Sequence, residues 1–415
     1  MRPDNSGSKA MTDWQTRAGF VTELARQLHE AGTTAPRLEQ ALVSVGRKLG
    51  LNCDVWSSPT AVILTLADPW NGHEVTRVLR MAPGDINLKR LCGVDEIAEN
   101  VLSGQLDLTQ GLAALAALRR PPSALRRWTE ACVAFPMASM GVAGILRGTA
   151  NDIATAALIG LTIGLMLELA NRRPRIAQAI PTVSALLAAL IAGVIAHFVA
   201  PLSTKLVLIA GLIVLVPGLT LTSAAVEIAS QHLVSGGARL VGALATSLKL
   251  AFGALVGTAL VNAMHWEALP VPLERIPAWQ EWPALLVSAL SFAMLFRARL
   301  RDWPIAVGAA IFGYLTLRFT SAAFSPEIGS FLAAFAVCLV SNLFARVYNR
   351  PGALVRVPGI ILLVPGTVGF RSLSFLIEKD VFLGLDTAAS LLLVLASLAA
   401  GLLVANTLLP SRKSL

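Results

Sequence analysis

The sequence predicts a polytopic α-helical membrane protein: about ten transmembrane helices, arranged as two inverted five-helix repeats, behind an N-terminal cytoplasmic α+β domain. Three observations predict it. Of 415 residues, 55% are hydrophobic and only 14% charged, against about a quarter charged in soluble globular domains. The long apolar stretches begin after residue 127, and most of the polar sequence precedes it. Two apolar segments are interrupted at matching places, at Pro217-Gly218 and Pro365-Gly366.

The order of elements follows from periodicity. Residues 1–13 are polar and read as a disordered tail. The α+β domain is expected over 14–126. Its first two helices, near 14–31 and 36–50, carry apolar stripes of Phe20, Leu24 and Leu28, then Leu38, Leu42, Val45 and Leu49. Gly32 closes the first. Val55-Trp56, Ala61–Leu66 and Val75–Val78 read as short strands separated by Ser/Pro and Asp-Pro-Trp-Asn-Gly turns. Helices near 87–103 and 108–118 follow, and Pro121-Pro122 leads to the membrane.

The apolar spans fall near 130–146, 151–170, 177–199, 205–226, 238–261, 283–297, 303–320, 327–345, 356–377 and 382–409. Arg119, Arg120, Arg126, Arg127, Arg172, Arg173, Arg175, Arg239, Arg297, Arg299, Arg301, Arg346, Arg350, Arg356 and Arg412 gather on one side of these spans. Positive residues mark the cytoplasmic face, so both termini are expected there, in a cell (inner) membrane. Repeat 1 then covers 127–261, an external loop 262–282 carries Trp266, Trp279 and Trp282 as interfacial anchors, and repeat 2 covers 283–410. Five spans per half would give the halves opposite orientation.

Proline removes an amide and clashes with the preceding turn, so each Pro-Gly breaks its helix. In hydrocarbon such a break persists only where protein or a wet cavity covers it. The bland alternative is a kink satisfied by neighbouring helices. A second break in the corresponding place favours a transporter binding site. Hydroxylic and charged residues follow both breaks: Thr220, Thr222 and Ser223 after the first, Thr367 and Arg371 after the second. Lys249 falls near the middle of the fifth span, where a charge is costly and by default functional. The candidate substrate-binding set is therefore Pro217, Gly218, Thr220, Thr222, Ser223, Lys249, Pro365, Gly366, Thr367 and Arg371. Glu227 and Asp152 are the candidate proton-coupling carboxylates. Glu227 reads equally as a solvated helix end, and Asp152 more commonly as an N-cap.

Several classes are excluded by what the sequence lacks. The net charge of +9 rests on arginines beside spans, so topology explains it better than nucleic acid. The four cysteines, Cys53, Cys92, Cys132 and Cys338, have neither metal-ligand nor disulfide spacing. The histidines form no ligand pair, so no metal or other cofactor is expected. There is no GxxxxGK[ST] sequence to hold ATP, no assembled Ser-His-Asp set, and no N-terminal leader pattern.

The chain resembles the threonine/serine exporter family. The resemblance rests on Leu363-Val364-Pro365-Gly366 followed by Phe370-Arg371-Ser372-Leu373, on Ala35-Pro36-Arg37-Leu38-Glu39 with Leu49-Gly50, and on Asn87-Leu88 with Leu91. It covers roughly 15–409; Leu146-Arg147-Gly148 departs from the small residues that relatives often have there. It implies export of threonine- or serine-like amino acids, driven by the proton gradient, with the substrate between the broken helices. In some relatives the two portions are separate chains, one pair being associated with succinate export, so a C4-dicarboxylate exporter is the alternative. Lys249 with Arg371 would suit a dianion. A membrane sensor or membrane-embedded hydrolase is a third reading. The expected partners are the small-molecule substrate, protons, the lipid bilayer and a second copy of the chain.

Overall fold

In the computed structural model, residues 5–170, 173–270, 277–364, 366, 368, 370, 372, 375 and 380–410 are described. Helix α1 (Asn5–Glu30) and α2 (Ala35–Lys48) meet through the stripes that periodicity predicts, and Phe20, Leu24, Leu28, Leu38 and Leu42 are fully buried. The helix reaches back to Asn5, into the stretch expected to be a disordered tail. Gly32, at φ +76°, turns the chain out of α1 in the left-handed region that glycine adopts without a Cβ penalty.

Three antiparallel strands follow, β1 (Asn52–Ser58), β2 (Ala61–Ala67) and β3 (Glu74–Arg80), in the order β1-β2-β3. Trp56 pairs with Ile63, and Ile63 with Val78. Alternation along β2 buries Val62, Leu64 and Leu66 against the helices. Helix α2 lies close on β1 because position 46 is glycine: a Cβ there would sit 2.9 Å from that of Cys53. Helices α3 (Leu88–Leu102), capped by the Asn87 side chain, and α4 (Leu108–Ala117), with an Asp107–Gln110 capping box, complete the segment.

A pre-membrane helix, α5 (Ala124–Thr129), runs through one π turn (Glu130–Ala134) into α6 (Phe135–Ile145). Then come α7 (Ala150–Ala170), the turn α8 (Pro174–Ala177), α9 (Ile180–Phe198), α10 (Thr204–Gly211), α11 (Gly218–Ala229), α12 (Leu233–Ala263), α13 (Glu281–Leu295), α14 (Trp303–Ala323), α15 (Pro326–Tyr348), α16 (Ala353–Ile361) and α17 (Val381–Leu408). Six of these, α7, α9, α12, α14, α15 and α17, are long and apolar enough to cross a membrane. The other four expected spans contain shorter helices: α6, the α10/α11 pair, α13 and α16. Length and composition therefore support a polytopic membrane protein with six such helices among the described residues.

The N-terminal segment is not a separate ball. Its core is continuous with Phe292 and Phe296 of α13, Ala298, and Ala353 and Leu354 of α16. The Leu88 and Lys89 amides at the start of α3 donate to the Phe296 and Arg297 carbonyls that end α13, at 2.9 and 3.2 Å. One helix start thus satisfies another helix end.

A buried carboxylate ties the β2–β3 turn to α1. Asp68 accepts from the Trp70 amide at 3.0 Å, Asn71 Nδ2 at 3.2 Å and Arg17 Nη2 at 3.0 Å. These hydrogen bonds, the Trp70 amide first, hold its carboxyl below the usual carboxylate range. A depressed folded pKa means stability present above the unfolded value of about 4 and lost as pH falls through the folded one. Asp68→Asn should therefore lower the melting temperature at pH 7 and leave it near wild type at pH 3, read by differential scanning fluorimetry in detergent.

Candidate functional site

The first break is a real interruption. After α10 the chain makes tight turns, with Leu215 N to Leu212 O at 2.9 Å and Gly218 N to Val216 O at 2.8 Å. Pro217, at φ −79° and ψ 46°, starts α11, whose first intrahelical bond is Leu221 N to Pro217 O at 3.0 Å. The Leu219 and Thr220 amides precede that bond, and a helix start leaves such amides unpaired within the helix. Their dipoles give this end partial positive charge.

The second break meets the first. A Cβ built on Gly218 would lie 3.4 Å from Gly366 Cα, and one on Gly366 would lie 3.1 Å from Gly218 Cα. Val364 and Val216 flank the contact, at 2.5 and 2.9 Å from the same built atoms. Only residues without side chains let two backbones approach this closely.

A cavity of about 660 Å³ opens beside this contact. Pro217, Gly218, Thr220, Ser223 and Gly366 line it, and so do Gly32, Asp85 and Ile86 of the N-terminal segment. Its charged wall consists of Asp85, Glu130, Arg239 and Arg297, with Tyr314 further along. Two of those cations are already paired, Arg239 with Glu227 and Arg297 with Glu130, both at 3.1 Å. Thr222 is buried beneath this surface, and its hydroxyl has no partner among the described residues. Pro365, Thr367 and Arg371 lie outside the described residues.

Three other predicted residues stand elsewhere. Glu227 is completely buried. It accepts from the Ala35 amide at 3.0 Å, Ser235 Oγ at 2.7 Å and Arg239 Nε at 3.1 Å. It thereby caps α2 and joins the N-terminal segment to the broken helix. His232 Nε2 adds a second link, 3.1 Å from Glu39 Oε2. The Ala35–Glu39 stretch is therefore the docking edge of the N-terminal segment. Asp152 accepts from the Thr149 amide and hydroxyl, both at 2.9 Å, and from the Ser203 amide at 2.8 Å. It clasps the start of α7 to the start of α10, some way from the cavity lining. Lys249 corrects the sequence expectation most directly. It is exposed on the outer face of α12 and is not among the cavity residues.

Sequence reasoning missed the charges that bracket the cavity. Helices α6 and α13 pack antiparallel, with Gly141 and Gly144 admitting Ser288 and Ala284. At one end of this pair Arg297 meets Glu130 at 3.1 Å. At the other end Glu281, 5% exposed, accepts from Tyr314 Oη and Arg318 Nη1, with Arg147 Nη2 at 3.5 Å. Arg147 and Arg297 end their helices alike, at φ 59° and 54°. Each is followed at the same spacing by a buried aspartate: Asp152 bonds Ser203, before α10, and Asp302 bonds Arg350, before α16. The signal is present as Glu near the start and Arg after the first span of each half, but the external loop expected over 262–282 takes in Glu281.

Residues 19–261 match the family model described as "Putative threonine/serine exporter", and residues 283–408 match the one described as "Threonine/Serine exporter, ThrE". The chain belongs to the threonine/serine exporter family. Similar chains occur in fungi. An uncharacterised protein of Schizosaccharomyces pombe is 24% identical over 92% of this chain and 46% of its own length. Pheromone-regulated membrane protein 10 of Zygosaccharomyces rouxii is 22% identical over 87% and 38%, and that of Candida albicans 25% over 91% and 34%. The chain thus spans less than half the length of these relatives. No solved structure matches it.

The Glu227 clasp generates a prediction for this exporter-family member. Removing one partner of a buried ion pair costs about 3–5 kcal/mol. Glu227→Gln should lower the melting temperature by several degrees and raise hydrogen exchange in the first turn of α2 above that in α3. Equal exchange in both helices would remove the clasp from the account.

Proposed function

We propose that this protein is a secondary active exporter of small hydrophilic amino acids of the threonine/serine type, driven by the proton gradient, and not an enzyme. The observation that carries this is the cavity beside the Gly218–Gly366 contact, in a chain belonging to this family. Its volume of about 660 Å³ falls in the range of small-molecule sites. The substrate carboxylate meets the Leu219 and Thr220 amides, where the α11 dipole favours an anion. The ammonium faces the turn carbonyls of the break. Thr220 and Ser223, both on the wall, read the substrate hydroxyl, and Thr222 supports them from beneath.

The wall charges favour a zwitterion over a C4-dicarboxylate. A dianion needs two unpaired cations, whereas Arg239 and Arg297 already face carboxylates and Lys249 points away. The alternative keeps one support, Arg371, which lies outside the described residues. In this reading the two halves are five-helix inverted repeats with the breaks at their shared centre. The recurring Glu–Arg–Asp order around α6 and α13 supports it. The arginine-rich side then faces the cytoplasm of a cell that carries the protein in its inner membrane, with both termini there. The N-terminal segment regulates access from that side, and a second copy of the chain is a further candidate partner.

The test is counterflow with the full chain in proteoliposomes. Unlabelled serine or threonine should exchange with labelled serine, with succinate competing at least ten-fold less well. Thr220→Ala should cut exchange about ten-fold while the protein stays monodisperse. Unchanged exchange in that variant, or succinate winning the competition, would overturn the assignment.

A further inference from the structure

We propose that Glu281 is the proton-binding carboxylate of the transport cycle, and that it gates the cavity at the end remote from the N-terminal segment. The inference rests on the transport reading above and assigns its proton site to a residue other than Glu227 or Asp152.

Position comes first. Phe296, at one end of α13, packs into the N-terminal core. Glu281 begins the same helix, so fifteen residues put it roughly 20 Å away at 1.5 Å per residue. Tyr314 both lines the cavity and donates to Glu281. A solute beside Gly218 therefore has the Glu281 cluster between itself and the far face. On the near side Asp85 and Arg297 belong also to a second, open basin along the N-terminal segment, so the cavity adjoins that basin at this end.

Chemistry comes second. The carboxylate draws together groups from two elements: Arg147 from the turn after α6, and Tyr314 and Arg318 from α14. Gln280, beside it, fixes the same turn by donating to the Gly148 carbonyl at 2.9 Å. Arg318 also lies over the Trp282 ring at 5.9 Å. Protonation turns this shared acceptor into a neutral acid. Arg147, whose side chain is 53% exposed, and Arg318 then have no anion to hold them, and α6, α13 and α14 are free to part. Return of the proton to the other side restores the anion and closes the cluster. Glu227 and Asp152 fit this task less well. Glu227 is clamped between a helix start and Arg239, and Asp152 joins two helix starts.

The experiment reads access directly. Ile213, on the cavity wall, is replaced by cysteine in full-length protein lacking the exposed Cys132. Liposomes are treated with an impermeant maleimide on the face opposite the N-terminus, and labelling is normalised to denatured protein at the same pH. Labelling of the wild type should be low. With E281Q it should be at least five-fold higher at pH 8, and E281D should restore the low value. R147Q, on the exposed side of the cluster, should raise labelling at pH 8 about two-fold, which keeps the test open should E281Q not fold. In proteoliposomes, E281Q should lose at least ten-fold in serine accumulation driven by a pH gradient. Wild-type labelling in E281Q, or full gradient-driven accumulation, would overturn the proposal. Absence of serine exchange in wild type would instead fail the transport reading, with the labelling result still judging Glu281.

Discussion

Two helix breaks that touch through bare backbone are the constraint on which the rest of the structure depends. A methyl group on Gly366 would come within 3.1 Å of Gly218 Cα, and one on Gly218 within 2.5 Å of the Val364 side chain. A broken helix exposes amides and carbonyls that hydrocarbon cannot satisfy, so breaks at membrane depth must be enclosed by protein or wetted by a cavity. Here both conditions are met: α12 and α17 pack on α11, and the remaining side opens to the cavity. The polar surface that a solute needs is thus made from the backbone itself.

The surrounding helices keep that contact in place with small residues and paired charges. Gly141 and Gly144 bring α6 against α13, and Gly160 and Gly164 bring α7 against Ser139 and Ala131, the small-residue packing typical of helices in lipid. Buried aspartates then fix the helix that leads to each break: Asp152 through the Ser203 amide, Asp302 through Arg350. Because ion pairs sit at both ends of the α6–α13 pair, the two ends can in principle open independently. The N-terminal segment is part of the same mechanics, since Glu227 joins the first turn of α2 to the broken helix itself.

Much of this was legible in the sequence. The stripes of α1 and α2, the three strands and both breaks follow from periodicity and from proline chemistry, which act locally. Family membership was legible in Ala35–Glu39 and Leu363–Gly366. The roles of single charges were less so, because they depend on which face of a helix points where. Lys249 looked functional by depth, yet a helix turns by 100° per residue and this position points outward. Glu227 reads from the sequence as a proton site or a solvated helix end, yet it is buried and one of its partners, the Ala35 amide, is far away in sequence. Glu281 was hidden by a boundary: placed at the end of a loop, it is the first residue of α13. The disordered tail expected over 1–13 failed because α1 continues back to Asn5.

The central claim is that the two breaks are in contact, and proximity cross-linking measures it most directly. Cysteines at Val216 and Val364, the side chains flanking Gly366 and Gly218, should join under mild oxidation or with the shortest bifunctional thiol reagent. The link should form in membranes in high yield and abolish serine exchange until reduced. A control pair at Val216 and Phe382, the latter exposed on α17, should not join. Equal, low yields in both pairs would mean that the breaks stand apart and that the cavity described here is not the site of transport.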